Sequence, residues 1–320
     1  MHDPAATLST ISLLVIWTAL SVLAGWRLLA RVPWEPRRPV PWNGLDLLLV
    51  LGAFELLLGT VVFAAQWGLG IKVGMDPAAA GGTSRVSPDG NAGPVRLGGD
   101  PSAKEATPMN PLLVALVRRH QPGTLLLCCF AAIVAAPLAE EFFFRLLLQG
   151  WLESVEGRWR KQFRPLRRLW PGLLPVLLVS ALFGAAHFRL AKEPGNVDAL
   201  LAQYVLIGVA EVLTVAFAVG YIRFRTGATA ADLGFIREKL PRDLALGLAA
   251  VVLCVPLLFS VQWVAASILP KKDAADPVTL FFFAAVMGII YFRTHRIVPS
   301  IVMHVAFNAL NLAAAWYLLK

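Results

Sequence analysis

Ionisable side chains are expensive inside long apolar segments, so each one found there is a candidate for chemistry. Seven stand in such segments: Glu55, Glu140, Glu141, Arg145, His187, Glu211 and His304, with Asn308 and Asn311 as polar companions. Five of the seven fall into three short patterns. The first is Glu140-Glu141-Phe142-Phe143-Phe144-Arg145. Residues four apart share one helix face, and Glu ahead of Arg is the favourable order, so Glu141 and Arg145 can form an internal ion pair. Glu140 is turned about 100° away and lacks that partner. It is free to act on water where low dielectric raises its basicity. The second pattern is Phe183-Gly184-Ala185-Ala186-His187, whose small residues admit a close neighbour helix and bring an imidazole into the bundle. The third is His304-Val305-Ala306-Phe307-Asn308. An imidazole and a carboxamide four apart can donate to one small target or share a metal.

The elements that must hold these residues are membrane helices. Of the 320 residues, 58% are apolar and 15% charged, against about 45–50% and about 25% in an ordinary globular domain. Eight runs are long enough for spans, at roughly 8–30, 45–69, 123–150, 172–190, 201–222, 243–269, 277–292 and 297–318. The expected fold is an all-α polytopic transmembrane bundle of about eight spans. Residues 1–70 supply two helices, and residues 71–122 form a Gly/Pro-rich loop ending in a short apolar and basic stretch, Leu112 to His120, suited to the interface. Residues 123–320 carry all three patterns. Cys128, Cys129 and Cys254 lie in apolar runs without ligand spacing and read as packing residues. This composition excludes a secreted disulfide scaffold, a nucleic-acid-binding module and a disordered regulator.

Charge gives the orientation. With the amino terminus outside, the inner connections 26–43, 151–171, 223–242 and 293–296 hold 4, 6, 5 and 2 basic residues. The short outer segments hold only Arg189, Lys192, Lys271, Lys272 and Lys320; six more sit in the long outer loop, where the rule has little force. Both termini are therefore expected outside, with a 156–168 loop in the cytoplasm. Depth is less consistent. Glu140 lies about ten residues from the cytoplasmic end of its span, His304 about seven and His187 about fifteen.

Three such patterns in this order resemble the CPBP family of intramembrane endopeptidases, which contains the type II CAAX prenyl proteases and bacteriocin-processing or immunity proteins. The signature EExxxR, FxxxH and HxxxN reads here EEFFFR at 140–145, FGAAH at 183–187 and HVAFN at 304–308. The resemblance implies a hydrolase acting on a peptide or protein in or at the membrane, prenylated CAAX-type chains among them, with its site opening toward the cytoplasm. It implies Glu140 as the water-activating base assisted by His187, and His304 with Asn308 as oxyanion donors. Glu141, Arg145 and Phe183 would support them. No divalent metal is required by the sequence, and HExxH is absent. Even so, Glu140, His187 and His304 could ligate one with a water position open, so metalloprotease chemistry stays an alternative. Two other functions compete: a non-catalytic scaffold or immunity-type partner of the same fold, and a carrier using Glu55 and Glu211 as relay carboxylates.

The chain departs from the family pattern in spacing, since three spans separate His187 from His304. GYIRFRTG at 220–227 matches GIIYFRTH at 288–295 at five of eight positions. This reads as an inserted helix pair within 225–290.

Overall fold

The computed structural model describes residues 4–32, 34–35, 39–70, 122–188, 197–269 and 275–319. The loop expected at 71–122, with its interfacial stretch, lies almost wholly outside them. Among the described residues the chain is helical, with no strand. We number the helices α1 (Pro4–Arg31), α2 (Gly44–Leu69), α3 (122–162), α4 (Arg164–Arg168), α5 (Leu173–Ala186), α6 (Val197–Thr226), α7 (Leu240–Ile268), α8 (Ala275–Thr294) and α9 (Val298–Leu319). Seven described helices are long and apolar enough to cross a membrane, and α5 is a shorter apolar helix. The protein is a polytopic all-α membrane bundle.

The bundle centres on α3, against which α5, α6 and α9 pack, while α8 lies between α5, α7 and α9. Helix α1 leans on α7 and α2 on α6. Their outer faces are apolar and exposed, as with Trp17, Leu23, Trp26, Leu56 and Trp67, which suits a lipid solvent in which backbone polar groups are satisfied within each helix. Local chemistry sets the anchors. Asn43 caps α2 by accepting from Leu45 and Asp46 N–H at 2.9 and 3.3 Å, and Asp46 returns a bond to Asn43 N–H at 2.7 Å. The same Asp46 carboxylate accepts from Tyr221 at 3.0 Å and pairs with Arg225, tying α2 to α6. Thr18 donates to the Pro256 carbonyl at 3.2 Å, tying α1 to the proline-bearing α7.

Two expectations change. The 156–168 segment is helical rather than a loop: α3 continues to Gln162 and α4 covers Arg164–Arg168. Its basic side chains brace it, with Arg160 donating to Glu156 at 3.2 Å and to the Leu169 carbonyl at 2.6 Å. Among the described residues of the span expected at 172–190, Leu173–Ala186 are helical.

The similar octapeptides build the same structure twice. Each ends a helix with a threonine whose hydroxyl bonds back to the carbonyl four residues earlier, Thr226 to Ile222 at 2.6 Å and Thr294 to Ile290 at 2.8 Å. The next residue is left-handed in both, Gly227 at φ 70° and His295 at φ 48°, and returns its N–H to the helix. This is the αL helix stop.

Candidate active site

The site forms where α3, α5 and α9 meet. Helix α3 leaves regular α geometry on both sides of the two acids, with π turns at Ala131–Ala135 and Phe142–Gln149; such turns recur at functional sites. In a π turn the Ala132 carbonyl would be served by the N–H of residue 137, but that residue is proline and has none. The Asn308 amide donates to it instead, at 2.9 Å.

Glu141, Arg145 and His304 form one buried chain. Arg145 Nε donates to Glu141 Oε2 at 3.2 Å, and both side chains are fully buried. Glu141 Oε1 takes a bond from His304 Nδ1 at 3.0 Å. The pairing expected within EEFFFR is present, but Glu141 has a second task that sequence reasoning missed. It holds the His304 imidazole with Nε2 turned toward Glu140 Oε2, 3.8 Å away. The guanidinium lies 5.5 Å over the Phe183 ring, a cation–π distance.

His187 closes the site from the end of α5. Its Nδ1 donates to the Phe183 carbonyl at 2.8 Å, so in the neutral ring Nε2 keeps the lone pair. That nitrogen stands 3.6 Å from Glu140 Oε1. Phe183 is fully buried, with ring centroids 4.5 Å from His187 and 5.8 Å from His304. Gly184 makes the approach possible, because a Cβ there would sit 2.7 Å from the Pro277 carbonyl oxygen of α8. Glu140 is thus flanked by two imidazoles, both beyond direct hydrogen-bond reach, and its Oε2 is buried without a hydrogen-bond partner among the described residues.

Glu140, His187, His304 and Asn308 line a single cavity of about 700 Å³. Its further wall is largely apolar and includes Val255, Leu258, Phe259, Leu280 and Phe307. Sequence reasoning did not find Tyr204, Gln262, Asp276 and Thr279, which also line it. Gln262 links the last two, donating to Asp276 at 2.8 Å and accepting from Thr279. Only packing of α7 on α8 brings these together, and no spacing announces it. Asn311 lies at the exposed end of the cavity. Glu55 is exposed on α2 and Glu211 lies on α6, and neither lines the cavity. Among the described residues no three His, Cys, Asp or Glu side chains are arranged to hold a metal ion, so the ligand set Glu140, His187 and His304 is not assembled.

Residues 122–234 and 233–310, more than half of the chain, match the family model described as type II CAAX prenyl endopeptidase Rce1-like. No curated protein and no solved structure matches. The matched region contains all three motifs and all or part of every helix that walls the cavity, ending within α9; α1 and α2 precede it. The chain therefore belongs to the Rce1-like family of type II CAAX prenyl endopeptidases.

Proposed function

We propose that the protein is an intramembrane endopeptidase that hydrolyses peptide bonds with a water activated by Glu140 and His187. The observation that carries this reading is the convergence of Glu140, His187, His304 and Asn308, from three helices, on one end of an apolar cavity. A water between Glu140 and the lone pair of His187 Nε2 would donate one hydrogen to each, which aims its oxygen lone pair outward. Its oxygen bonds to the scissile carbonyl carbon as the proton passes to Glu140. The C–N bond then breaks and that proton goes to the leaving amine, giving one carboxylic acid and one amine.

The oxyanion falls to His304 and Asn308. Asn308 uses one amide hydrogen on Ala132 and has a second to offer. His304 gives its Nδ1 hydrogen to Glu141, so donation from Nε2 needs a hydrogen on both ring nitrogens. Phe183 and Arg145 are positioning residues in this scheme.

Residues 123–320 form the protease domain in this proposal, and residues 1–70 add two helices beside it. The family match beginning at residue 122 supports that boundary. The pair inserted within 225–290 is then a working part of the domain, because Val255, Leu258, Gln262 and Thr279 all wall the cavity. Both termini face outward and the basic helix ends face the cytoplasm, a reading supported by the distribution of Lys and Arg.

The test is cleavage of a peptide library by purified protein and by Glu140→Gln. Removing the base without changing shape should lower the rate by at least about 10²-fold, the lower end for general-base catalysis. Undiminished cleavage by the variant would dismiss Glu140 as the base.

A further inference from the structure

Residues 158–168 hold six basic residues and no acidic one: Arg158, Arg160, Lys161, Arg164, Arg167 and Arg168. They lie on the last turns of α3 and on α4, which together form a short helical hairpin. Two of the six build that hairpin. Arg167 donates to the Arg160 and Lys161 carbonyls at 2.8 and 2.7 Å, serving carbonyls that a helix end leaves open. Arg160 donates to Glu156 and to the Leu169 carbonyl, and Glu156 accepts from the Gly172 N–H at 2.8 Å, just before α5. The other four, Arg158, Lys161, Arg164 and Arg168, are exposed and have no hydrogen bond or ion pair among the described residues.

These four cations come in two pairs. Arg158 and Lys161 are three apart on α3, and Arg164 and Arg168 four apart on α4, so each pair shares a helix face. Like charges held together without a counter-charge favour an anion beside them. The neighbours indicate which kind. Trp159, Phe163 and Trp170 are large exposed apolar side chains on or next to the same hairpin. Trp34, also exposed, stands at the same end with the Arg293 guanidinium 4.6 Å over its ring. Tryptophan collects at the level of lipid headgroups. Rising about 1.5 Å per residue, residues 122–162 run about 60 Å, about twice the hydrocarbon thickness. The polar last turns of α3, from Glu153 onward, therefore lie beyond the hydrocarbon. The hairpin stands where α2, α5, α7 and α9 begin, whereas residues 71–121, 189–196 and 270–274 join helices at the opposite end.

We propose that the α3–α4 hairpin binds the headgroup of an anionic phospholipid, with Arg158, Lys161, Arg164 and Arg168 on the phosphate and the exposed aromatic rings against the lipid below it. Guanidinium groups hold phosphate oxygens through paired, charge-assisted hydrogen bonds. Each basic residue near an anionic membrane surface strengthens the attraction about fivefold. A bound headgroup braces the hairpin that joins α3, which carries Glu140 and Glu141, to α5, which leads into His187. The proposal is independent of the endopeptidase reading, since it invokes no residue of the cavity.

The test uses the purified full chain in a neutral detergent, with melting followed as phosphatidylglycerol, phosphatidylcholine or inorganic phosphate is added. Phosphatidylglycerol should raise the melting temperature at concentrations where phosphatidylcholine does not. Arg164→Gln/Arg168→Gln should raise the half-maximal phosphatidylglycerol concentration about 30-fold, two steps of about fivefold. Arg164→Lys/Arg168→Lys keeps the charge but not the paired geometry and should fall between that variant and the parent. Arg237→Gln/Arg242→Gln removes as much charge from exposed positions at the same end of the bundle and should leave the concentration unchanged. Equal stabilisation by the two lipids overturns the proposal. So does an equal shift in the two glutamine pairs, which would mean a diffuse field rather than a site. Inorganic phosphate that stabilises as well as phosphatidylglycerol would assign the hairpin to free anions and overturn the lipid. If Arg164→Gln/Arg168→Gln does not fold, Arg158→Gln/Lys161→Gln takes its place. The unmodified chain also decides by itself under native mass spectrometry. From an equimolar mixture of the two lipids it should retain phosphatidylglycerol in preference, and equal retention refutes the proposal.

Discussion

Replacing Glu141 by glutamine should separate two tasks that one carboxylate performs. Glu141 accepts from Arg145 at 3.2 Å and from His304 at 3.0 Å, with all three side chains buried. The Arg145 Nη1 and Nη2 atoms have no hydrogen-bond partner among the described residues, so Glu141 is the anion that balances the guanidinium. Breaking a buried pair by removing one charge costs about 3–5 kcal/mol. The glutamine oxygen can keep one bond of about 1 kcal/mol, which leaves a net loss of about 2–4 kcal/mol, read as a lowered melting temperature in detergent. Adding Arg145→Leu removes the stranded charge and should restore most of that loss.

Activity should not follow stability back. A neutral glutamine no longer gives His304 Nδ1 a charge-assisted bond, so the imidazole is held less firmly with Nε2 toward Glu140. The double variant is therefore expected to melt near the parent while cleaving at least about 10²-fold more slowly, the lower end for a general acid–base contribution. Melting curves and single-turnover cleavage on the parent, Glu141→Gln and Glu141→Gln/Arg145→Leu decide it. Full recovery of cleavage in the double variant would mean that Glu141 is only a counter-ion. An unchanged melting temperature in Glu141→Gln would refute the pairing argument itself.

Two further outcomes are expected. On the proposed mechanism Asn308→Ala should lower kcat by about 10²–10³-fold, the loss of one oxyanion donor; it also strands the Ala132 carbonyl, costing about 1–3 kcal/mol, and an unchanged kcat would remove Asn308 from the mechanism. Gly184→Ala places a Cβ 2.7 Å from backbone oxygen and should destabilise by about 1–3 kcal/mol. Gly220→Ala, with nothing within 4 Å of its Cβ, should melt like the parent, and equal melting of both would show that the α5–α8 approach is slack.

The span count and the three motifs were legible because lipid solvent demands long apolar helices and makes buried charge conspicuous. The depth of the motifs was not. Counted from hydropathy, Glu140, His187 and His304 fall at different heights, because the count assumes that helices end where apolarity ends. Helix α3 instead runs on through a polar segment to Gln162. Helix α9 starts from a turn sunk in the protein, with Thr294, Ile297 and Ser300 fully buried. Arg296 can be buried in that turn only because Asp243 and Glu35 meet it, from positions 53 and 261 residues away. Such pairs, like Glu141 with His304, have no local signature.

The HxxxN motif shows why catalytic and structural roles are hard to part here. Helix α9 runs antiparallel to α3, and its two motif residues grip α3 at two heights, His304 on Glu141 and Asn308 on Ala132. Two polar bonds to one neighbour fix the sliding register of a helix that apolar packing alone would hold loosely, since lipid tails compete with side chains for the same contacts. The second grip exists because Pro137 withholds an N–H inside a π turn. The first grip uses the Nδ1–H of His304, and the second uses one of the two amide hydrogens of Asn308. Both residues also line the cavity, so the bonds that set the register hold them at its wall. A variant that breaks either grip shifts both side chains at once, so loss of activity assigns a catalytic role only when the melting temperature is measured on the same protein.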